Sequence, residues 1–193
     1  MHVHNLGVQA FERNYRFCED AVEPEYYPPE QMRYFMGYER PDGRVGTRNY
    51  LLVISTVNCS ASVSSYVARR FEGVSRDYPN VDGVMAITHK GGCGVALGSE
   101  DYFQLQRTLA GFAKHPNVFG YVIIGLGCEV NQTQDLIVNE SLGRITTIDR
   151  PPKVITIQGA GGTQAAVEMG VQAVAEMLLG RTPAEGRNSR SPS

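Results

Sequence analysis

What this sequence lacks narrows its function before any motif is read. No apolar run approaches the roughly 18 residues needed to cross a bilayer. The N-terminus from Met1 to Ala10 has no charged-then-apolar layout of the kind that directs secretion. A cytoplasmic location with no membrane partner is the resulting expectation. Basic excess is missing too. A formal net charge of −2 gives no surface suited to phosphate backbones, so no nucleic-acid partner is expected. Four cysteines in 193 residues are too few for a disulfide-stapled scaffold. There is no CxxC pair, no tandem repeat, no GxGxxG and no Walker lysine. Gly159-Ala-Gly-Gly162 is at most a weak anion-binding turn, and a nucleotide site has little support.

What remains is an ordinary globular composition, 42% hydrophobic and 20% charged, enough for one domain with a real core. Short apolar, β-branched runs at Tyr50–Val57, Gly83–Thr88, Phe119–Ile124 and Val154–Ile157 alternate with helical stretches. Those stretches run over Ser60–Phe71, Asp101–Lys114, Asn131–Asn139 and Thr163–Leu179. Strands apolar throughout are covered on both faces, and their alternation with helices predicts right-handed βαβ units. The expected fold is therefore α/β: a doubly wound, mainly parallel sheet of about four strands, Rossmann- or flavodoxin-like. It occupies residues 47–180. Residues 1–46 read as an extended N-terminal arm, since the prolines of Glu23–Glu30 disfavour helix. A short helix is expected near Gln9–Phe17. Residues 181–193, rich in Arg, Ser, Pro and Gly, read as a disordered tail.

In an open parallel sheet, ligands bind beyond the carboxyl ends of the strands. Here those ends lead into Asn58-Cys59-Ser60, His89-Lys90-Gly91-Gly92-Cys93-Gly94 and Gly127-Cys128-Glu129-Val130-Asn131. Three successive strands each deliver one cysteine to the same edge. Adjacent strands lie about 4.8 Å apart, so Cys59, Cys93 and Cys128 are candidate ligands of one metal or iron–sulfur cluster. Buried, inert cysteines are the other reading of these positions. Cys18 stands alone and is read as incidental. His89 is a candidate base, metal ligand or carboxylate partner, with Lys90 beside it. Glu129 is a candidate for proton transfer, or a carboxylate satisfying a helix N-terminus. Arg40, Arg44 and Arg48 suit an acidic substrate through bidentate contacts, or form a solvated basic loop. Asn49 and Asn58 are candidates for orienting hydroxyls, or simple turn formers. His115-Pro116-Asn117 falls at the opposite edge from the cysteines and is assigned to structure.

Several stretches resemble one family in order and spacing. They are Gly37–Tyr50, Thr56–Ser60, Tyr78–Gly83, Thr88–Gly94, Arg107–Asn117 and Gly125–Gln132. The chain is similar, from about Gly37 to Leu179, to the altronate/galactarate dehydratases. The resemblance implies a metal-dependent hydro-lyase that converts a sugar acid to a 2-keto-3-deoxy acid. Its expected cofactor is iron, as Fe2+ or an iron–sulfur cluster. A related branch, the sulfolactate sulfo-lyases, expels sulfite instead. For that mechanism Arg40 and Arg48, with Lys90, are the candidates for holding the substrate carboxylate, and His89 is this chain's candidate base, a base in the missing portion being the alternative. The resemblance also implies a three-part design, in which His2–Leu6 is the remnant of an N-terminal SAF-type domain and a C-terminal domain is missing. The expected partners are a sugar-acid substrate and those missing domains or a separately encoded subunit; a homo-oligomer is left open. Two other readings stand beside this one. One is a non-catalytic binding or assembly module of a split enzyme, and the other is a thiol redox protein.

Overall fold

The computed structural model describes residues 22–144, 152–179 and 188–192. The chain divides into two compact units, 1–33 and 34–193. In the first, residues 22–28 have no regular structure, and a single turn at Pro29–Gln31 is closed by Gln31 N–H on the Pro28 carbonyl. The expected strand at His2–Leu6, the helix near Gln9–Phe17 and Cys18 lie outside the described residues. Among the described residues, no helix is long and apolar enough to cross a membrane.

The second unit holds a parallel sheet of β3 (Tyr50–Ser55), β4 (Gly83–Ile87), β5 (Val118–Gly125) and β6 (Lys153–Thr156), in the order β4-β3-β5-β6. Four helices follow its strands: α1 (Ala61–Arg69), α2 (Glu100–Ala113), α3 (Thr133–Asn139) and α4 (Thr163–Leu179). Side chains alternate across the strands, and the two faces build separate cores. Leu51, Val53, Val122 and Ile124 pack with Val63 and Val67 of α1 and Ala166, Val174 and Leu178 of α4. Leu52, Ile54, Tyr121 and Ile123 pack with Leu109 and Ala113 of α2 and Leu136 of α3. Burying each such Leu, Ile or Val stabilises the fold by about 1.5–3 kcal/mol. The doubly wound α/β sheet expected from the apolar runs is the fold observed.

One irregularity affects the pattern. Tyr50 pairs with Val118 but Leu51 pairs with Gly120, so Phe119 is an extra residue on β5. A bulge of this kind reverses the alternation. Phe119 accordingly shares the α1/α4 face with Val122 and Ile124, while Val118 joins Tyr121 and Ile123 on the other. Burial pushes the Tyr121 hydroxyl up to about 12, and it donates to the Leu142 carbonyl at 2.9 Å.

Helix starts follow local chemistry. Ser99 caps α2 by accepting Tyr102 N–H at 3.2 Å, and Glu100 and Asp101 place negative charge in the first turn. The α4 stripe of Ala166, Gly170, Ala173, Val174 and Leu178 has the 3–4 spacing of a buried helix face.

A second, antiparallel sheet orders β2 (Val45–Gly46), β1 (Tyr34–Glu39) and β7 (Asn188–Pro192). Two expectations differ here. The unit begins at Tyr34, so the arm expected through residue 46 gives way to β1 earlier. Residues 188–192 of the expected disordered tail pair with Tyr34–Tyr38 instead. That ladder is made by main-chain groups and needs no apolar side chains.

Candidate active site at the carboxyl edge of the parallel sheet

β4 lies on one side of β3 and β5 on the other, and the helices after β3 and β5 take opposite faces of the sheet. The carboxyl ends of β3 and β5 therefore form the topological switch point where open α/β sheets bind ligands. The turns there are laced together by main-chain bonds. Asn58 N–H donates to the Gly91 carbonyl at 2.9 Å, and Asn131 N–H donates to the Gly92 carbonyl at 3.2 Å. Ile157 N–H closes the turn after β6 onto Gly125 at 2.9 Å. Gly92 sits at φ +95°, and a Cβ there would lie 2.5 Å from the Thr56 carbonyl. Only glycine allows the β4 turn to pass this close to β3.

The turns after β3, β4 and β5 thus meet as expected, but the cysteines do not make a ligand set. Cys59, Cys93 and Cys128 are free and exposed. Among the described residues, no group of three or more His, Cys, Asp or Glu side chains is placed to hold a metal ion. The reason is in the turns themselves. Their inward positions are taken by Thr56, Gly92, Glu129 and Asn131, which are buried, and the thiols are left on the outside. The residues as arranged do not fit an iron centre.

His89 is half-buried at this edge, with both ring nitrogens engaged. Gly91 N–H donates to Nδ1 at 3.1 Å, so Nδ1 is the acceptor and Nε2 carries the proton, 3.0 Å from the Ser55 carbonyl. Burial lowers its pKa below the usual 6.5, against the opposing pull of the Ser55 and Thr56 main chain. It is a neutral clamp joining the β3 and β4 turns, with a hydrogen bond at each nitrogen. Glu129 is also inward, at 2% exposure. Its Oε1 accepts from Thr56 Oγ1 at 2.9 Å and Leu126 N–H at 3.1 Å, and its Oε2 accepts from Gly127 N–H at 2.6 Å. It serves the amides of its own turn rather than the start of α3, whose N-cap is Gln132. Lys90 and Asn58 are exposed at the mouth of the edge.

Three of the expected substrate-binding residues lie elsewhere. Arg40, Arg48 and Asn49 are at the amino edge, which the six residues of β3 separate from the cysteine turns by roughly 20 Å. Arg40 is 4% exposed; it donates to the carbonyls of Pro116 at 2.6 Å and Arg48 at 3.2 Å, and to Asn49 Oδ1 at 2.9 Å. Asn49 donates through its main chain to Asp82 at 2.6 Å and through Nδ2 to the Asn80 carbonyl at 2.6 Å. Arg48 stands 4.0 Å from Asp82, and Arg44 pairs with Asp42 at 2.7 Å, holding that carboxyl below its ordinary range. Residues that precede a strand sit at its amino end, so these side chains fasten the hairpin to the sheet and cannot share a site with Lys90.

Sequence reasoning passed over the residues that frame the edge from below. Asn131 Nδ2 donates to the Thr56 carbonyl at 2.9 Å, and its Oδ1 accepts from Gln106 Nε2 at 3.2 Å. Gln106 Oε1 in turn accepts from Asn139 at 3.0 Å. Ser60 Oγ reaches the Ile124 carbonyl at 2.7 Å and Ser55 Oγ at 2.8 Å. Gln106, Asn131, Ser55 and Ser60 are fully buried. The readable signal was Gln106, a polar residue on the stripe shared with Leu109, Ala110 and Ala113.

The family model described as D-galactarate dehydratase/Altronate hydrolase, second domain, matches residues 37–180. Altronate dehydratase of Bacillus subtilis (strain 168) is 31% identical over 137 residues, covering 68% of this chain and 26% of that protein. Galactarate dehydratase (L-threo-forming) of Escherichia coli (strain K12) is 41% identical over 116 residues, 59% of this chain and 22% of that protein. The (2R)-sulfolactate sulfo-lyase subunit beta of Chromohalobacter salexigens is 32% identical over 94 residues, 49% of this chain and 21% of that protein. The matched segments span about a quarter of these relatives or less. With the match running from β1 through α4, the chain belongs to the D-galactarate dehydratase/altronate hydrolase family, to which it corresponds as the second domain.

Proposed function

We propose that this chain is the α/β domain of a hydro-lyase that dehydrates a sugar acid of altronate or galactarate type to a 2-keto-3-deoxy acid. The observation that carries the proposal is the family match over residues 37–180, which takes in the whole carboxyl edge. In the reaction, a base removes the C2 proton beside the carboxylate, and the C2–H electron pair forms the C2=C3 bond. The C3 hydroxyl departs with a proton as water, and the enol tautomerises to the ketone by gaining a proton at C3. The intermediate concentrates negative charge on the carboxylate, so the site needs fixed donors. Lys90 and Asn58, exposed over the switch point, are the donors proposed from this chain. Both ring nitrogens of His89 are engaged by the turns, so the base we favour comes from outside this edge.

A relative that is a sulfo-lyase subunit favours one second reading, in which the same elimination expels sulfite rather than water. The test is titration of the 15N-labelled chain with altronate, galactarate and sulfolactate, together with assays for 2-keto-3-deoxy acid and sulfite. Amide shifts confined to residues 56–60, 88–94 and 125–132 with a sugar acid support the dehydratase reading, and shifts with sulfolactate alone support the other. Shifts with none of the three acids sink both.

A further inference from the structure

Glu129 is the feature of the carboxyl edge that the proposed chemistry leaves unused. Its carboxylate is buried and held by three neutral donors: Thr56 Oγ1, Leu126 N–H and Gly127 N–H. No cation pairs with it among the described residues. A buried carboxylate without a counter-charge is costly unless hydrogen bonds compensate, and here three of them do so. Two successive main-chain N–H groups are thus aimed at one anion in the manner of a nest, and Gly127 in this turn holds φ +121°, which glycine adopts without strain. The nest lies at the switch point, where an open sheet binds its ligand. A Cβ at Gly125 would meet both Glu129 Oε1 and Thr56 Oγ1, so the space that holds the carboxylate exists only because residue 125 has no side chain. Gly127 and Cys128 are exposed, so solvent is one residue away. The main chain at 129 is fastened separately, by Gln132 Nε2 on its carbonyl.

We propose that Thr56 Oγ1 and the Leu126 and Gly127 amides form a carboxylate-binding site that the chain's own Glu129 fills, and that a substrate carboxylate enters by displacing it. The identity of that substrate rests on the sugar-acid reading above; the existence of the site does not. Glu129 then acts as an internal competitor. It keeps the donors satisfied when no acid is bound and raises the acid concentration needed for half-occupancy.

The test uses the full chain, with formate as the smallest carboxylate and galactarate as the sugar acid. Glu129→Ala leaves the donors unpaired. Formate is expected to raise the melting temperature of this variant by several degrees while leaving wild type unmoved, and to shift the Leu126 and Gly127 amides. Galactarate is expected to bind the variant about tenfold more tightly than wild type, because the competing state is gone. Formate that stabilises the variant no more than wild type overturns the site. Formate rescue without any galactarate binding upholds the site and overturns its assignment to the sugar acid. Should Glu129→Ala fail to fold, Glu129→Gln keeps the shape but puts an amide where one acceptor stood. Galactarate must then bind Glu129→Gln more tightly than wild type, and Thr56→Val must remove that gain; equal affinities overturn the proposal.

Discussion

At the amino ends of the parallel strands, polar side chains are consumed by the fold. Arg40 and Asn49 are buried, each with three or more hydrogen bonds, and Asn117 Oδ1 accepts the main-chain N–H groups of Thr47 and Arg48. At the carboxyl ends, the polar groups are divided into two layers. Thr56, Glu129, Asn131 and Gln106 are buried and bonded to one another or to the turns, while Asn58, Cys59, Lys90, Cys93 and Cys128 are exposed above them. The same kinds of residue, asparagine and a cationic side chain, close one edge and stay available at the other. While the inner layer is satisfied from within the chain, the outer layer stays free to meet a ligand.

The largest expected effect tests the closed edge. Arg40→Ala leaves Pro116, Arg48 and Asn49 acceptors without their donor, at a cost of about 3 kcal/mol in urea unfolding. Galactarate affinity per folded molecule should not change. A variant that keeps its stability but loses affinity would break the comparison, because it would make Arg40 part of the site.

Next comes the inner layer of the open edge. Asn131→Ala frees Gln106 Nε2 and the Thr56 carbonyl, both buried, and should cost about 2 kcal/mol. Here stability and galactarate binding are expected to fall together, measured by urea unfolding and by titration at a temperature where the variant is folded. Intact affinity in a destabilised Asn131→Ala would show that the inner layer does not position the outer one.

How much of this was readable follows the same division. The strands announced themselves because β3 and β5 are covered on both faces, leaving continuous apolar runs, and α4 has the bounds Thr163–Leu179 expected from its stripe. The edge that carries the exposed cysteines was readable from chain order, as was the amino-edge position of Pro116 and Asn117. By the same rule Arg40, Arg48 and Asn49, which precede β3, belonged at the amino edge; residue chemistry was allowed to outweigh strand direction. Which residue of a turn faces inward was not readable. It depends on contacts such as Gly92 against Thr56, made between strands far apart in sequence. For the same reason the cysteines read as ligands, and the inward position of Thr56 went unread.

His89 gives a pH-dependent effect of smaller size. Its pKa in the fold is lowered below 6.5, so the unfolded chain binds the proton more readily than the folded one. The stabilisation it contributes is present above pH 6.5 and is lost as the pH falls below that value towards the folded pKa. The stability difference between wild type and His89→Gln should therefore shrink from pH 7.5 to pH 5, read as urea midpoints. A difference that grows on acidification would mean that the imidazolium is the favoured form and that the clamp is misassigned.

Lys90→Ala touches only the outer layer. Stability should change by less than about 0.5 kcal/mol, as for other exposed substitutions. Galactarate binding should weaken by about tenfold, or roughly 1.4 kcal/mol, and the wild-type affinity should fall with added salt while that of the variant falls less. Unchanged affinity would remove Lys90 from the proposed donors.

The smallest effect is expected at the thiols. Exposed cysteines with no neighbour to complete a ligand set contribute little to the fold, so replacing Cys59, Cys93 and Cys128 by serine should leave the urea midpoint nearly unmoved. Cobalt(II) added anaerobically to the wild-type chain should give no thiolate-to-metal absorption, since the inward positions of the turns are already filled by Thr56, Gly92, Glu129 and Asn131. The two measurements belong together. An intense band that disappears in the triple variant would mean that a metal draws the thiols inward against those bonds. The bonds of Thr56, Glu129 and Asn131 would then yield to a metal, and the contrast with the amino edge would hold only for the chain without metal.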